Sequence, residues 1–413
     1  MISIGIFPHI QNFFTFILEN FMKVCAVICE YNPFHFGHAY QLSEMKKRGA
    51  VIAVMSGGFT QRGDAAVLSK YERAEIAVRC GADLVLELPF PYSSAPAEIF
   101  GGAGVRIADS LGCVDELCFG SETGDISALR ALSDRLNEES FKEALSAYLE
   151  KNPTQSYRMA VGRVYRDVYG EAFPSDGSND ILALSYLSAL RALHSDIIPV
   201  AITRKGENYN GGGEGFASAT TIRSLMRSED WEGVCRSAPK ETAEKLLSAS
   251  RCGNLADSEK LFPMFAALTR TRNEDICNGL YDIPHDLAAR LWKYGREARS
   301  MEEFLSLAVS KNDSPSRVRR AMLTALINVK KSDVGEVPYT TVLAANQTGR
   351  EILSKLRKTA SIPIVTKPAD AKRFGENVAR AAALSANADA VWELLCDTPR
   401  AGNAMMKEKP RML

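Results

Sequence analysis

Two of the five histidines in the chain stand three residues apart, in the run Cys29-Glu30-Tyr31-Asn32-Pro33-Phe34-His35-Phe36-Gly37-His38. A glycine precedes the second. Imidazoles can donate hydrogen bonds to phosphate oxygens as charge builds on them in a transition state. The elements that must position these rings flank them. Lys23-Val24-Cys25-Ala26-Val27-Ile28 reads as an apolar strand, and Tyr40, Leu42 and Met45 recur at helical spacing. A strand, a tight glycine-containing turn and a helix start together make an anion site, because free backbone N–H groups and the helix dipole point at what lies there.

Other stretches could contribute. Ser56-Gly57-Gly58-Phe59-Thr60-Gln61-Arg62-Gly63-Asp64 follows a second strand; its glycines allow close backbone approach, and Gln61 and Arg62 offer polar contacts. Read blandly, it is a surface turn. Lys70 could reach a phosphate or be a solvated cation. Gly120-Ser121-Glu122 closes another strand, either against adenosine or as a plain turn. Asn179 is a helix N-cap or a ribose or base contact. Arg204 follows a strand at 197–202. Ser218-Ala219-Thr220-Thr221-Ile222-Arg223 is a hydroxyl-rich helix start with an arginine one turn in, suited to phosphates or simply capped. Arg317, Arg319 and Arg320 open a helix after Pro315, and Arg290, Lys293, Arg296 and Arg299 space another basic face. These are either solvated faces or an RNA-backbone patch.

The 413 residues suffice for two cores, and 46% apolar with 24% charged residues is ordinary globular composition. Net charge is zero, so a nucleic-acid partner must use a local patch. Nine scattered cysteines without a CxxC pair argue for a reducing compartment and against a zinc ribbon or disulfide scaffold. Residues 1–21 are apolar but interrupted and lack a charged start, so neither a membrane span nor a signal peptide is expected; they read as an upstream extension before an initiator at Met22.

From Lys23 to about Ile202 short strands (Val51–Met55, Asp83–Leu88, Glu116–Phe119, Ile197–Ile202) alternate with helical patterns (Tyr71–Arg79, Ala97–Leu111, Asn179–Leu193). That alternation predicts an α/β fold, a Rossmann-like parallel sheet with ligands at the carboxyl ends of its strands. Pro199 cannot donate to a ladder, so its strand is expected at an edge or incompletely paired. Beyond about Leu246 helical patterns dominate, apart from Ile362–Val365. The expected division is a catalytic domain over 22–246 and a mainly helical domain over 247–413.

With these residues in view, the chain resembles the tRNA(Met) cytidine acetate ligase family, a branch of the HxGH nucleotidyltransferase-like proteins. The resemblance rests on Glu30 to His38, Met55 to Gly63, Ala82 to Pro89, Phe119 to Glu122, Asn179, Arg204 and Ser218 to Arg223, and covers Met22 to about Met226. It implies that ATP activates acetate as acetyl-adenylate and that the acetyl group passes to N4 of the wobble cytidine of elongator tRNA(Met), in the cytoplasm. It implies His35, His38 and Arg223 as catalytic residues. The implied ATP pocket is Ile28-Cys29-Glu30-Tyr31-Asn32-Pro33-Phe34-His35-Phe36-Gly37-His38-Ala39-Tyr40-Gln41 with Gly120, Asn179, Arg204, Ser218 and Thr220. Mg²⁺ is expected to neutralise the polyphosphate, and no residue is assigned as a metal ligand. The second domain matches loosely: Lys311-Asn312-Asp313-Ser314-Pro315 stands where the family has a basic, aromatic stretch, so Arg317, Arg319 and Arg320 are only weakly marked as tRNA contacts.

Two other readings stay open on the residues alone: an enzyme that adenylylates a small phosphorylated substrate, and a non-catalytic, nucleotide-dependent RNA-binding protein. The oligomeric state is not legible.

Overall fold

A computed structural model describes residues 23–152, 155, 157–174, 177–205, 216–402 and 404–413; the reading of residues 1–21 and Met22 lies outside them. Strands β1 (Val24–Cys29), β2 (Ala50–Ser56), β3 (Leu84–Leu88), β4 (Glu116–Ser121) and β5 (Ile198–Thr203) pair in parallel in the order β5-β4-β1-β2-β3. β1, β2 and β3 are buried at every residue, as strands covered on both faces must be. β5, which carries Pro199, lies at the edge as expected.

The chain order reverses at β1, which has β2 on one side and β4 on the other. In such sheets the ligand crevice opens outside the carboxyl ends of the strands flanking the reversal. Helix α1 (Phe36–Lys46) leaves β1 at that point, and α2 (Lys70–Arg79), α3 (Ala97–Ser110), α4 (Ser178–Ala192) and α5 (Ala219–Arg227) surround the sheet. Ser69 and Glu72 form a capping box on α2. α3 presses on the sheet through glycine: a Cβ on Gly104 would stand 2.6 Å from Ile28 Cδ1.

The later half is mainly helical, with α6 (Pro315–Ile327), α7 (Gln347–Thr359) and α8 (Glu376–Leu394), but it also feeds the sheet. β6 (Thr340–Ala345) runs antiparallel to β3, and β7 (Ile364–Val365) and β8 (Arg411–Met412) pair with β6. Sequence periodicity missed β6, a six-residue run that ends in two alanines and stands among helical patterns. It also missed the helices Ile126–Asn137, Glu139–Lys151 and Tyr157–Tyr169. Asp83 ties the halves together: its carboxylate accepts from Lys46 Nζ at 2.7 Å, Val51 N at 2.8 Å and Asn346 Nδ2 at 2.9 Å. One cluster of buried side chains runs from Cys25 to Met405. Cys25 and Cys29 are buried in it, and the nine cysteines are unpaired.

Candidate active site

The turn after β1 is held from several directions. Tyr31 sits at φ 50°, a left-handed conformation that costs a non-glycine residue about 1 kcal/mol or more. The Asn32 side chain accepts from Val67 N at 2.8 Å and donates to Ala65 O at 3.3 Å. Arg223, arriving on α5, donates to Asn32 O at 2.5 Å. The Asn32–Pro33 peptide is cis.

The two histidines then lock each other. His35 is the N-cap of α1; its Nδ1 accepts from Gly37 N at 3.0 Å, while His38 Nδ1 accepts from His35 N at 3.3 Å. Their rings stack with centroids 3.7 Å apart, and Tyr31 and Phe34 pack against the His38 ring at 4.8 and 5.5 Å. A ring nitrogen that accepts from an N–H carries no proton, so in the neutral ring the proton is on Nε2. Both rings are therefore Nε2–H donors of fixed orientation. Position 37 favours glycine, since a Cβ there would stand 2.8 Å from His35 Cε1.

Burial first, then His35 and Arg204, hold His38 well below the ordinary imidazole range. The ring stays neutral near neutral pH. Lowering the pH from about 8 to about 6 should therefore not disturb chemistry at this site through His38 protonation. The unfolded chain takes up this proton in the ordinary imidazole range, near 6.5, and the folded ring does not. His38 thus contributes stability above that value, lost as pH falls below it. Ring ¹⁵N shifts through the titration check both statements; an imidazolium signal at His38 near pH 6.5 would contradict them.

Around these rings His35, Gly37, His38, Tyr40 and Gln41 from the turn and α1, Gly120 from β4, Ile202 to Lys205 from the end of β5, and Phe216 to Ser218 before α5 line one cleft. A Cβ on Gly120 would stand 3.3 Å from Arg204 Cγ, so glycine lets the arginine lie across β4. Arg204 Nη1 reaches Asn179 Oδ1 at 3.4 Å. Asn179 is held in turn by Glu122, whose carboxylate accepts its side chain at 2.5 Å and the backbone N–H of Asp180 at 2.9 Å. Burial pushes that carboxyl up, but these donors leave it below the usual range. Ser218 caps α5 through Thr221 N at 3.1 Å, and Arg223 Nη2 donates to Thr220 Oγ1 at 3.1 Å.

The expected residues thus divide. The histidine turn, Gly120, Arg204 and Ser218 share the cleft wall, and Asn179 stands one contact behind it through Arg204; Arg223 reaches the base of the turn at Asn32 O and holds Thr220, and neither of these two residues lines the cleft. Ile28, Cys29, Tyr31, Asn32 and Phe34 are buried supports; Phe36 is 37% exposed. Ala39 packs against the core, and Glu30 accepts from Gln61 N at 2.5 Å. Lys70 is neither a phosphate ligand nor solvated: it is buried between Glu87 at 2.8 Å and Asp389 at 2.7 Å. Arg317 pairs with Asp282 and Asp313, each at 3.0 Å, Arg319 with Asp64 at 3.2 Å, and Arg320 donates to Gln61 O at 3.3 Å. Arg290 pairs with Asp313, and Arg296 donates to Thr269 O. The basic helix start therefore clamps the glycine loop. Gly63 shows the closeness, for a Cβ there would meet Arg319 Cβ at 2.8 Å.

Sequence reasoning missed Lys205 and Phe216. They lie beside Arg204 and Ser218, which was the available signal. Sequence reasoning also missed Arg73, a charged residue on the apolar face of a predicted helix.

A Rossmann-like sheet with an HxGH turn at its reversal point defines the class of nucleotidyl transferases, and the family model described as HIGH Nucleotidyl Transferase matches residues 22–407. A tRNA(Met) cytidine acetate ligase of Thermoanaerobacter sp. (strain X514) is 35% identical, over 84% of this chain and 89% of that protein. One from Clostridium novyi (strain NT) is 32% identical, over 84% and 90%. The crystal structure of Thermotoga maritima TmcAL bound with alpha-thio ATP superposes with a TM-score of 0.87 at 31% identity, covering 95% of this chain and all of that one. The chain belongs to the tRNA(Met) cytidine acetate ligase family of HIGH nucleotidyl transferases. The fold expectation is met.

Proposed function

We propose that this chain is an ATP-dependent, AMP-forming ligase that acetylates N4 of the wobble cytidine of elongator tRNA(Met). The observation that carries the reading is the pair of stacked imidazoles in the cleft at the sheet's reversal point, each accepting a backbone N–H on Nδ1, in a chain of this family. An acetate oxygen attacks the α-phosphorus of ATP and pyrophosphate leaves. The cytidine N4 amine then attacks the acetyl carbon, AMP leaves, and the amine loses a proton. His35 and His38 donate to α-phosphate oxygens as negative charge accumulates there. Arg223, with Ser218 and Thr220 at the start of α5, holds the β- and γ-phosphates. Gly120, Asn179 and Arg204 hold the adenosine. An unpaired anticodon base presents its amine without the cost of melting a duplex.

Among the described residues, those lining the cleft include no carboxylate. Magnesium fits as the ion that ATP brings on its own phosphates, where it neutralises charge. Among the described residues the one grouping of metal-ligand type, Cys25, Glu116 and Cys118, lies on β1 and β4, and Lys23 and Arg48 already engage Glu116. The mainly helical part, 247–413, is read as the tRNA-binding part, with the contribution of Arg317, Arg319 and Arg320 limited by their internal pairs. No described helix is long and apolar enough to cross a membrane; a cytoplasmic location is part of the proposal.

The test is ATP–pyrophosphate exchange by the purified chain with and without acetate, followed by acetylation of elongator tRNA(Met). Acetate-dependent exchange and N4-acetylcytidine are expected. Exchange that ignores acetate but responds to a phosphorylated small molecule would replace this reading.

A further inference from the structure

Helix α2 turns two cations inward, three residues apart. Lys70 meets two carboxylates. Arg73 is fully buried and, among the described hydrogen bonds, donates only to main-chain carbonyls. Nε reaches Leu68 O at 3.2 Å and Nη1 reaches Glu30 O at 2.5 Å, while Nη2 reaches Ser56 O at 3.1 Å and Gly57 O as well. Burial pulls the guanidinium down to about 10, so it remains charged at neutral pH. A desolvated cation without a contacting carboxylate is costly, and what offsets that cost here is the set of main-chain carbonyls it binds.

What distinguishes these carbonyls is their place in the chain. Glu30 joins β1 to the histidine turn, and Ser56 and Gly57 join β2 to the glycine loop. In a planar trans peptide the N–H points opposite to the C=O. Binding the carbonyls of Glu30, Ser56 and Gly57 therefore turns the N–H groups of Tyr31, Gly57 and Gly58 away from the guanidinium. One planar fork orients the exits of two adjacent strands, which no point cation can do.

We propose that Arg73 is a positioning residue for the transfer step: it sets the histidine turn and the glycine loop in one mutual geometry, so that both imidazoles meet the reacting phosphate together. This rests on the reading of His35 and His38 as transition-state donors. It predicts that Lys, which keeps the charge but reaches fewer carbonyls, does not rescue.

The experiment compares full-length wild type, Arg73→Lys, Arg73→Gln and His38→Ala by acetate-dependent exchange, thermal unfolding and ring ¹⁵N shifts. Folded Arg73→Lys and Arg73→Gln are expected to lose about 10²-fold in kcat, as small misplacements do. Their KM for ATP should change less than about threefold, because ground-state binding is largely kept. The His35 and His38 signals should lose their single Nε2–H pattern.

A folded Arg73→Lys with kcat near wild type, or a loss confined to KM, overturns the proposal. So does failure of both variants to fold in the cold, which would assign Arg73 to the fold itself. If His38→Ala retains full exchange, the reading of the imidazoles fails first and the proposal with it.

Discussion

Replacing His38 with alanine is expected to lower acetate-dependent ATP–pyrophosphate exchange by about 10²–10³-fold, the usual loss when one preorganised donor is removed from a developing charge. The ring contributes a single neutral Nε2–H, oriented by the hydrogen bond from His35 N to its Nδ1 and by packing against Tyr31, Phe34 and His35. Its bond to phosphate strengthens as the phosphorus becomes pentavalent, so kcat should fall while ATP affinity by calorimetry stays within about threefold. His38→Gln keeps an N–H near the Nε2 position and should recover part of the rate. His35→Ala should lose activity similarly but also about 1 kcal/mol of stability, because His35 is the N-cap of α1. Exchange by His38→Ala within about threefold of wild type would exclude the ring from the chemistry.

The largest effect on stability is expected at Lys70. Its ammonium is bonded to Glu87 at 2.8 Å and Asp389 at 2.7 Å, with all three side chains at most 7% exposed. Lys70→Met leaves two carboxylates buried without their cation and should cost about 3–5 kcal/mol in urea unfolding. The consequence reaches the glycine loop, since Glu87 Oε1 would lie 2.8 Å from a Cβ on Gly57, at the base of that loop. Replacing all three charges with apolar residues of similar volume should recover most of the loss, because the triad's attraction does little more than offset its own desolvation. A single-variant loss under about 1 kcal/mol would mean that water reaches the site.

Much of the catalytic half was legible in local pattern. β1 to β5 have runs of apolar residues long enough for strands, and α1 begins at a glycine-containing turn with a side chain able to cap it. The histidine turn was legible because its residues are consecutive. Phe216 and Lys205 were not singled out, because an aromatic or a lysine beside a motif carries no signal of its own. β6 could not be read as a strand until β3 was there to pair with it.

The basic residues show the limit most clearly. Arg317, Arg319, Arg320, Arg290 and Lys70 look alike as charges along a chain. Their partners Asp282, Asp313, Asp64, Gln61, Glu87 and Asp389 are mostly distant in sequence. Whether a cation faces solvent, an anion or a carbonyl depends on which segments fold against it, and desolvation decides what that contact is worth. The sequence by itself determined the α/β order, the edge position of β5, the histidine turn and the family. Only the tertiary structure decided that Arg319 and Arg320 clamp the glycine loop and that β6 completes the sheet. Likewise, only the fold placed Arg73 beneath two strand exits. These are pairings between segments far apart in the chain, and no local periodicity encodes them.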